Sequence, residues 1–213
     1  MQKIEMYCVT DKEFKYLNEL NYNLGAVGKN IFSNKYLRCD NKDNIYHKEK
    51  NYSELTFHYW YWKNLLQFSQ NEWIDFCQKR RFWIKQSSSL NNINSKNLKD
   101  HILTHVPKNL ESYDSIICKP ISVSQSKKIK IIKRGWKNLI KDPTILFSQK
   151  KRSIELHFDM HHGYGNLERA IQLLPYYDRE EFKYYVKTKN SFNPHIMFIS
   201  KKKILDIWFK ALF

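Results

Sequence analysis

Two adjacent arginines, Arg80 and Arg81, follow an apolar run, EWIDFC at 72–77, that predicts a buried strand. In α/β proteins ligands bind outside the carboxyl ends of strands, which is where this doublet would lie. A guanidinium group can bind two phosphate oxygens at once, so the doublet indicates a pyrophosphate site, although a solvated basic turn would have the same sequence. Asp75, inside the run, is either a functional carboxylate or a residue that faces solvent from an edge strand.

A second group of reactive side chains lies in HFDMHHGYGN at 157–166. On a helix, His157 and His161 share a face at i and i+4, a spacing that can hold a metal. The segment is not H-E-x-x-H and no second cluster supplies further ligands, so we predict no metal site. A pair of Asp159 with a histidine, acting as a general base, is the preferred interpretation. The absence of a P-loop and of a G-x-S-x-G elbow argues against P-loop hydrolases and ordinary α/β hydrolases.

The most aromatic stretch, YSELTFHYWYWKN at 52–64, has the period of a helix, and Ser53 is its predicted N-cap. The predicted buried stripe, at i, i+4, i+7 and i+11, consists of Leu55, Tyr59, Trp62 and Leu66. The polar residues that this stripe leaves without a structural role are Glu54, Thr56, Lys63 and Asn64.

The chain that carries these groups has 213 residues, with 42% hydrophobic and 15% aromatic residues, enough for a folded interior. We predict a single domain over 1–213, with a mobile loop at 85–110 that is rich in Ser, Asn and Lys. Strand and helix patterns alternate, so the predicted class is α/β. The four cysteines are far apart, and we expect reduced, buried thiols.

The formal net charge is +16, which indicates a polyanionic partner or a lysine-rich coding bias. The basic segments 127–137 and 201–213 also contain Ile, Leu and Trp. They predict either contact with an anionic membrane or, because such residues at helical spacing usually pack inside a protein, an ordinary core. No apolar run approaches about 20 residues, and the N-terminus lacks the pattern of a secretion signal. The predicted location is the cytoplasm, including the inner face of the membrane.

Six motifs in order resemble the bacterial capsular and exopolysaccharide glycosyltransferase family that was long catalogued as a domain of unknown function. They are VTDK at 9–12, VG at 27–28, DNKDNI at 40–45, YSELTFHYWYWKN at 52–64, IDFCQKRRFW at 74–83 and MFI at 197–199. The resemblance extends over nearly the whole chain. Its most specific part is the block from Glu-Leu-Thr to Trp-Lys-Asn.

The resemblance implies a GT-A-like domain with a mixed, mostly parallel sheet flanked by helices. It also implies a nucleotide-diphosphate sugar donor, for which a UDP-furanose is one candidate, and transfer to a capsular or surface glycan, free or lipid-linked. Carried over position by position, the donor-binding residues are Thr10, Lys12, Gly28, Asn44, Lys63, Arg80 and Arg81. His162 matches a histidine of the family.

Three motifs depart from the pattern of that family. Its Thr-His-Lys is Thr10-Asp11-Lys12, its His-Tyr before the two arginines is Gln78-Lys79, and its Asn before Met-Phe-Ile is Ile196. If the missing histidines are catalytic, this chain is inactive or altered in specificity.

Glycosyl transfer requires stabilisation of the departing diphosphate and deprotonation of an acceptor hydroxyl. The sequence has no Asp-x-Asp pair, and Asp40 and Asp43 are more widely spaced. We therefore expect cations of the protein, Arg80, Arg81 and Lys63, to neutralise the diphosphate with no metal cofactor. For the base we expect Asp159, with Glu54 second and His162 as the third catalytic candidate.

Two other functions are compatible with the sequence. A nucleic-acid-binding module would stack bases on the aromatic residues and follow the backbone with lysines, although nucleic acid is the less favoured partner. A catalytically inactive relative would act as a scaffold in capsule assembly. Because the chain ends in the middle of an apolar helix, we also expect a truncation after Phe213.

Overall fold

The computed structural model describes residues 2–213, in two compact units. The first unit extends to Cys118 and includes Ile196–Phe213, and the second unit is Lys119–His195. The strands are β1 (Ile4–Thr10), β2 (Asn23–Ala26), β3 (Tyr36–Arg38), β4 (Trp73–Gln78), β5 (Ser115–Ile117), β6 (Ile121–Ser122), β7 (Ser191–Phe192) and β8 (Phe198–Lys201). The α-helices are α1 (Glu49–Tyr52), α2 (Leu55–Asn64), α3 (Leu98–His101), α4 (Lys128–Arg134), α5 (Trp136–Lys141), α6 (Ile154–His162), α7 (Asn166–Ile171), α8 (Tyr176–Thr188) and α9 (Lys202–Leu212). The single domain over 1–213 stays a prediction.

A six-stranded sheet in the order β3-β2-β1-β4-β8-β5 forms the centre of the first unit. β1 pairs in parallel with β2 on one side and with β4 on the other, and β3 extends the parallel set. β8 is antiparallel to both β4 and β5. The predicted α/β class, with a mixed and mostly parallel sheet flanked by helices, is confirmed.

Both faces of this sheet are covered, because successive side chains of a strand point to opposite faces. On one face, Cys8 of β1 belongs to a core that includes Ile102 from the segment after β4. On the other face, Tyr7 belongs to a core with Phe57 of α2 and Phe209 of α9. Central parallel strands are usually buried in this way.

Helix α2 begins and ends close to the predicted positions, but it buries a different face. Of the predicted stripe only Leu66 is buried. The buried residues of the helix are Thr56, Phe57, His58, Trp60 and Tyr61. Because almost every position of this segment is aromatic or aliphatic, the period alone did not determine which face meets the sheet.

The predicted N-cap at Ser53 is also wrong. Glu54 occupies the N-cap position, without a capping hydrogen bond from its side chain, and Ser53 precedes it with a φ of 47°. The carbonyl of Ser53 accepts hydrogen bonds from the backbone N–H of Thr56 at 3.0 Å and from its Oγ1 at 2.7 Å. The helix therefore starts at a carboxylate residue.

A glycine allows α2 to approach the sheet closely. Gly25 lies inside β2. A Cβ atom at this position would be 2.7 Å from ring carbons of Phe57. A larger residue would push the helix away from the strand.

The segment 85–110 contributes to the core although its composition resembles a loop. It contains α3, and Leu98, Ile102 and Val106 are buried. These three residues are spaced by four, but the Ser, Asn and Lys residues around them favoured a loop, so the sequence analysis did not identify them as core residues. The mobility of this segment stays a prediction.

The second unit is mainly helical. One core contains Ile131, Ile145, Leu156 and Met160, and another contains Ile154, Leu167, Ile171 and Val186. The guanidinium group of Arg152 is buried and donates hydrogen bonds to the carbonyls of Ser124 at 2.9 Å, Ser126 at 3.0 Å and Leu146 at 3.1 Å. These bonds fasten the chain on either side of α4 and α5. No helix within residues 2–213 has the length and the apolar content needed to cross a membrane.

Candidate functional site

Three parallel strands end at the same edge of the sheet: β1 at Thr10, β2 at Ala26 and β4 at Gln78. The chain leaves β1 towards β2 on one side, while β4 lies on the other side. This edge therefore contains a topological switch point, the place where open α/β sheets bind ligands. We call residues 10–12, 27–28 and 78–81 together with Glu54 the carboxyl-edge site.

The turns after β1 and β2 are fastened to each other. The backbone N–H of Val27 donates to the carbonyl of Thr10 at 3.0 Å, and Thr10 Oγ1 donates to the carbonyl of Lys12 at 2.6 Å. Gly28 has a φ of 77°, and its carbonyl accepts a hydrogen bond from the Tyr46 hydroxyl at 2.7 Å. Thr10 and Gly28 thus shape the two turns, and the side chain of Lys12 is exposed beside them.

An ion pair between Asp11 and Lys79 joins the residues that follow β1 and β4. The Lys79 ammonium lowers the pKa of the Asp11 carboxyl. Both residues occupy positions where the chain departs from the motifs of the glycosyltransferase family that it resembles. Sequence reasoning treated these departures separately, although the two side chains have opposite charges.

Glu54 is half-buried next to the end of β4. The Nε2 atom of Gln78 donates to Glu54 Oε2 at 2.5 Å, and Arg81 Nη1 donates to Gln78 Oε1 at 2.8 Å. Burial raises the pKa of the Glu54 carboxyl, and the Gln78 hydrogen bond and the charge of Lys79 act in the opposite direction. A carboxylate with a raised pKa that is linked through one amide to an arginine is well suited to general base chemistry.

Arg80 extends from the same edge and is exposed. Its guanidinium group makes no side-chain hydrogen bond and no ion pair with any of residues 2–213. Its donors are therefore available to an anionic ligand, whereas those of Arg81 are partly used by Gln78.

Asn44 supports this edge indirectly. Its side-chain amide donates to the carbonyl of Lys42 at 2.8 Å, and its Oδ1 accepts from the backbone N–H of Tyr46 at 3.0 Å. Tyr46 in turn binds the carbonyl of Gly28. Asn44 therefore orients a residue that holds the turn after β2.

Lys63 lies away from the carboxyl-edge site. It lines a recess of about 810 Å³ together with Lys202 and Glu72, the residue immediately before β4. Its ammonium is 3.6 Å from the centre of the Trp62 ring. The six residues of β4, about 20 Å of strand, separate this recess from Arg80. The structure therefore does not bring Lys63 and the two arginines together.

Asp159 and His162 belong to the second unit. Asp159 is buried, and its two oxygens accept hydrogen bonds from Asn138 Nδ2 at 2.9 Å and from the backbone N–H of Gly165 at 3.1 Å. His162 is exposed, with its ring 4.5 Å from that of Phe158. The hydrogen bonds of Asp159 account for its burial, since they hold the turn that follows α6.

Two aspartates near the sheet edge already have protein partners. Asp40 forms an ion pair with Arg38, and Asp43 accepts a hydrogen bond from the Tyr59 hydroxyl at 3.1 Å. In the described part of the chain, no three His, Cys, Asp or Glu side chains form a group that could hold a metal ion. These residues do not fit the divalent cation of an Asp-x-Asp site, and metal-independent transfer stays a prediction.

Asp75 lies in the interior. β4 is placed between β1 and β8, so the interpretation of Asp75 as a solvent-facing residue of an edge strand is wrong. Its Oδ1 accepts a hydrogen bond from Trp83 Nε1 at 2.6 Å, and burial raises the pKa of the carboxyl well above its ordinary value. The neutral form is therefore favoured, inside the core and not at the sheet edge.

Much of the 52–64 block has a structural role. Trp60 Nε1 donates to the carbonyl of Asn41 at 3.0 Å, and Asn64 Nδ2 donates to the carbonyl of Asp43 at 2.8 Å. These bonds fasten the loop after β3 to α2. Glu54 is the residue of the block whose carboxylate lies at the carboxyl-edge site.

His58, the histidine of this block, is buried in the core. Its ring lies 4.3 Å from that of Phe76, and burial lowers its pKa to about 3. A histidine in this position stays neutral and has no access to a ligand.

Comparison with known proteins gives a family and a fold. Residues 5–213 match a family described as "Domain of unknown function (DUF4422)". The structure is similar to that of WbbM, a bifunctional glycosyltransferase solved in its apo form, with a TM-score of 0.62 and 19% sequence identity. The similarity covers 99% of this chain and 36% of that one, so this chain spans about a third of the length of that protein. No curated protein sequence matches. The similarity confirms the fold predicted from the sequence.

The buried state of His58 predicts a pH dependence of stability. The folded pKa of about 3 lies below the ordinary histidine value of about 6.5, so the unfolded chain binds a proton more readily. This contribution to stability is fully present above pH ~6.5 and is lost as pH falls towards ~3, with a slope of up to about 1.4 kcal/mol per pH unit. We expect His58→Phe to remove this slope in urea unfolding experiments between pH ~7 and ~5. The exposed His47, changed to Gln, is the control, and an unchanged slope in His58→Phe would contradict the assignment.

Proposed function

The chain belongs to the DUF4422 family, and from this membership, the fold that it shares with a glycosyltransferase and its carboxyl-edge site, we propose that it is a glycosyltransferase with a nucleotide-diphosphate sugar donor. One observation carries the proposal. Two arginines and Lys12 lie at the ends of adjacent parallel strands, around a switch point that also holds the half-buried carboxylate of Glu54.

The charges of this site match what sugar transfer requires. As the bond from the sugar to the diphosphate breaks, negative charge accumulates on the departing phosphate oxygens, and fixed cations stabilise it. Arg80 has free donors for these oxygens, and Arg81 is held in position by Gln78. Lys79 is paired with Asp11, so the two contribute little net charge. We assign the diphosphate to the two arginines and Lys12, with Lys63 outside the site.

The nucleotide would lie against the turns after β1 and β2. Gly28 carries no side chain, and a Cβ atom at its position would lie 3.7 Å from Glu49 Oε1 and 3.9 Å from the Cβ atom of Asp11. These two turns are therefore adjacent, and a flat base or ribose can approach their backbone closely.

Glu54 is our choice for the base that deprotonates the acceptor hydroxyl. Its raised pKa strengthens it as a proton acceptor, and Gln78 fixes its orientation. Asp159 comes second because donors from Asn138 and Gly165 already occupy its two oxygens, and His162 remains the third candidate.

The acceptor and the donor sugar are assigned from the sequence motifs. We propose that the acceptor is a capsular or surface glycan, free or lipid-linked, and that a UDP-furanose is one candidate donor. No divalent metal is assigned, because Asp11, Asp40 and Asp43 are paired with protein groups. The cations of the site would take over the neutralisation of the diphosphate.

Donor binding is the first test. We expect UDP to raise the melting temperature saturably, because a ligand that binds the folded state stabilises it. The double variant Arg80→Gln with Arg81→Gln should weaken UDP binding by about 10- to 100-fold, the value of one or two charged hydrogen bonds. Lys63→Gln should bind UDP like the unaltered protein. The placement of the site would be wrong if Lys63→Gln lost binding and the arginine variant retained it.

The base is tested by separating turnover from binding. With a panel of UDP-sugars that includes a furanose, Glu54→Gln should lower the rate of UDP release by about 10²- to 10⁴-fold with donor affinity retained. Asp159→Asn should retain most of the activity, provided that its melting temperature is normal. Equal turnover of Glu54→Gln and the unaltered enzyme would reject Glu54.

The metal-independent assignment is tested with EDTA. Turnover should persist in excess EDTA. Loss of turnover in EDTA that manganese restores would contradict this assignment.

A further inference from the structure

Helices α4 and α5 of the second unit present one face to their own core and the opposite face to solvent. Ile131 is fully buried, and a Cβ atom at Gly135 would lie 3.2 Å from Leu156 and 3.3 Å from Met160. Leu139 continues this inner face. Positions 131, 135 and 139 are spaced by four residues, so they follow one side of the helical path.

The solvent side of these helices is apolar. The exposed fractions are 62% for Ile129, 52% for Ile132, 52% for Trp136 and 72% for Ile140. Phe147 is 80% exposed, and its ring lies 5.5 Å from the ammonium of Lys128 on α4. We call these five side chains the docking face. A cluster of large apolar side chains with this exposure is uncommon unless another surface covers it.

Positive charge surrounds the docking face. Residues 119–152 contain eleven lysines and arginines, of which Arg152 is buried, and one acidic residue, Asp142, which is paired with Lys151. Lys133, Arg134 and Lys137 lie in or between the two helices, among the apolar side chains.

A recess of about 530 Å³ opens beside Trp136. Arg134, Lys137 and His161 contribute to its lining, together with Asp159. The two oxygens of Asp159 accept hydrogen bonds from Asn138 and Gly165 of the same unit, so its carboxylate is already paired with protein donors. The three basic side chains could bind a phosphate group at the docking face.

We propose that the docking face binds the surface of a membrane that contains anionic lipids. Its isoleucines, Trp136 and Phe147 would enter the boundary between headgroups and acyl chains, and the lysines would contact lipid phosphates while their stems lie along apolar surface. Each lysine near an anionic surface favours binding by a factor of about five. The docking face combines positive charge with exposed apolar side chains. An anionic membrane surface binds this combination.

The composition of the face favours a membrane over nucleic acid. Nucleic-acid-binding surfaces use aromatic rings that stack on bases, whereas three of the five exposed residues here are isoleucines, which cannot stack. Tryptophan and aliphatic residues with lysines are typical of a membrane interface.

A second exposed apolar group in the same unit provides a matched comparison. Leu173 is 87% exposed and Tyr177 is 78% exposed, beside and within α8. Tyr177 is followed by Asp178, Arg179, Glu180 and Glu181, so the charge next to this apolar group is net negative. It should not bind an anionic surface.

Vesicle sedimentation tests the proposal. The protein is mixed with vesicles of phosphatidylglycerol and phosphatidylcholine, or of phosphatidylcholine alone, at physiological salt. We expect the partition coefficient for the anionic vesicles to exceed that for the neutral ones by about tenfold or more. Ile132→Ser with Trp136→Ser should lower binding to anionic vesicles by at least about tenfold, and Leu173→Ser with Tyr177→Ser should leave it unchanged.

The charge contribution is measured separately. Lys133→Gln with Lys137→Gln should lower binding by about 25-fold, at about fivefold for each lysine. Lys96→Gln with Lys99→Gln removes the same charge from the first unit and should have little effect. Far-UV circular dichroism and the melting temperature verify that each variant is folded.

Three results would overturn the proposal. They are equal binding to anionic and neutral vesicles, loss of binding in the control variants to the same extent as in the docking-face variants, and binding of a single-stranded oligonucleotide that depends on the docking face while vesicles are not bound. The proposal does not depend on the glycosyltransferase assignment, because neither vesicle binding nor its variants involve the carboxyl-edge site.

Discussion

The parallel pairing of β1 with β4 is the constraint on which the proposed site depends. It brings residues 10–12 and 78–81 to one edge of the sheet, although almost seventy residues separate them in the sequence. The ion pair between Asp11 and Lys79 joins the two chain segments just beyond the strands. With β2 on the other side of β1, this edge becomes a switch point with a cationic rim, and a phosphorylated ligand has the fixed positive charge that it needs.

Helix α2 links the core to this edge. Its aromatic side chains fill the space between the sheet and α9, and Gly25 lets the helix approach β2. Because the helix is held so closely, its first residues have a defined position, and Glu54 meets Gln78 there. The same packing that buries His58 therefore orients the carboxylate that we assign as the base. In this segment the aromatic residues of α2 stabilise the core, and Glu54 at the start of the helix is the residue assigned to the chemistry.

Local patterns in the sequence predicted individual strands and helices well. They did not predict which of these elements lie next to each other in the fold. An apolar run identified β4, helical spacing identified α2, and the arginine doublet was correctly placed after a buried strand. Strand order is not encoded locally, so Asp75 could not be recognised as central, and the opposite charges of Asp11 and Lys79 could not be assigned to each other. Lys63 was grouped with the arginines because it belongs to a neighbouring motif. Glu54 and Lys63, however, lie at opposite ends of α2. Of the two, Glu54 is the one that lies at the carboxyl edge of the sheet.

The most direct test of the carboxyl-edge site is to map where UDP binds by the backbone amide chemical shifts of the isotope-labelled protein. We expect the largest saturable changes in three segments, 10–12, 27–28 and 78–81. These amides lie at the ends of β1, β2 and β4. Little change is expected at Lys63 and Lys202, which line the recess at the opposite end of β4. Changes centred on that recess, or none in the three segments at saturating UDP, would contradict the site proposed for the donor.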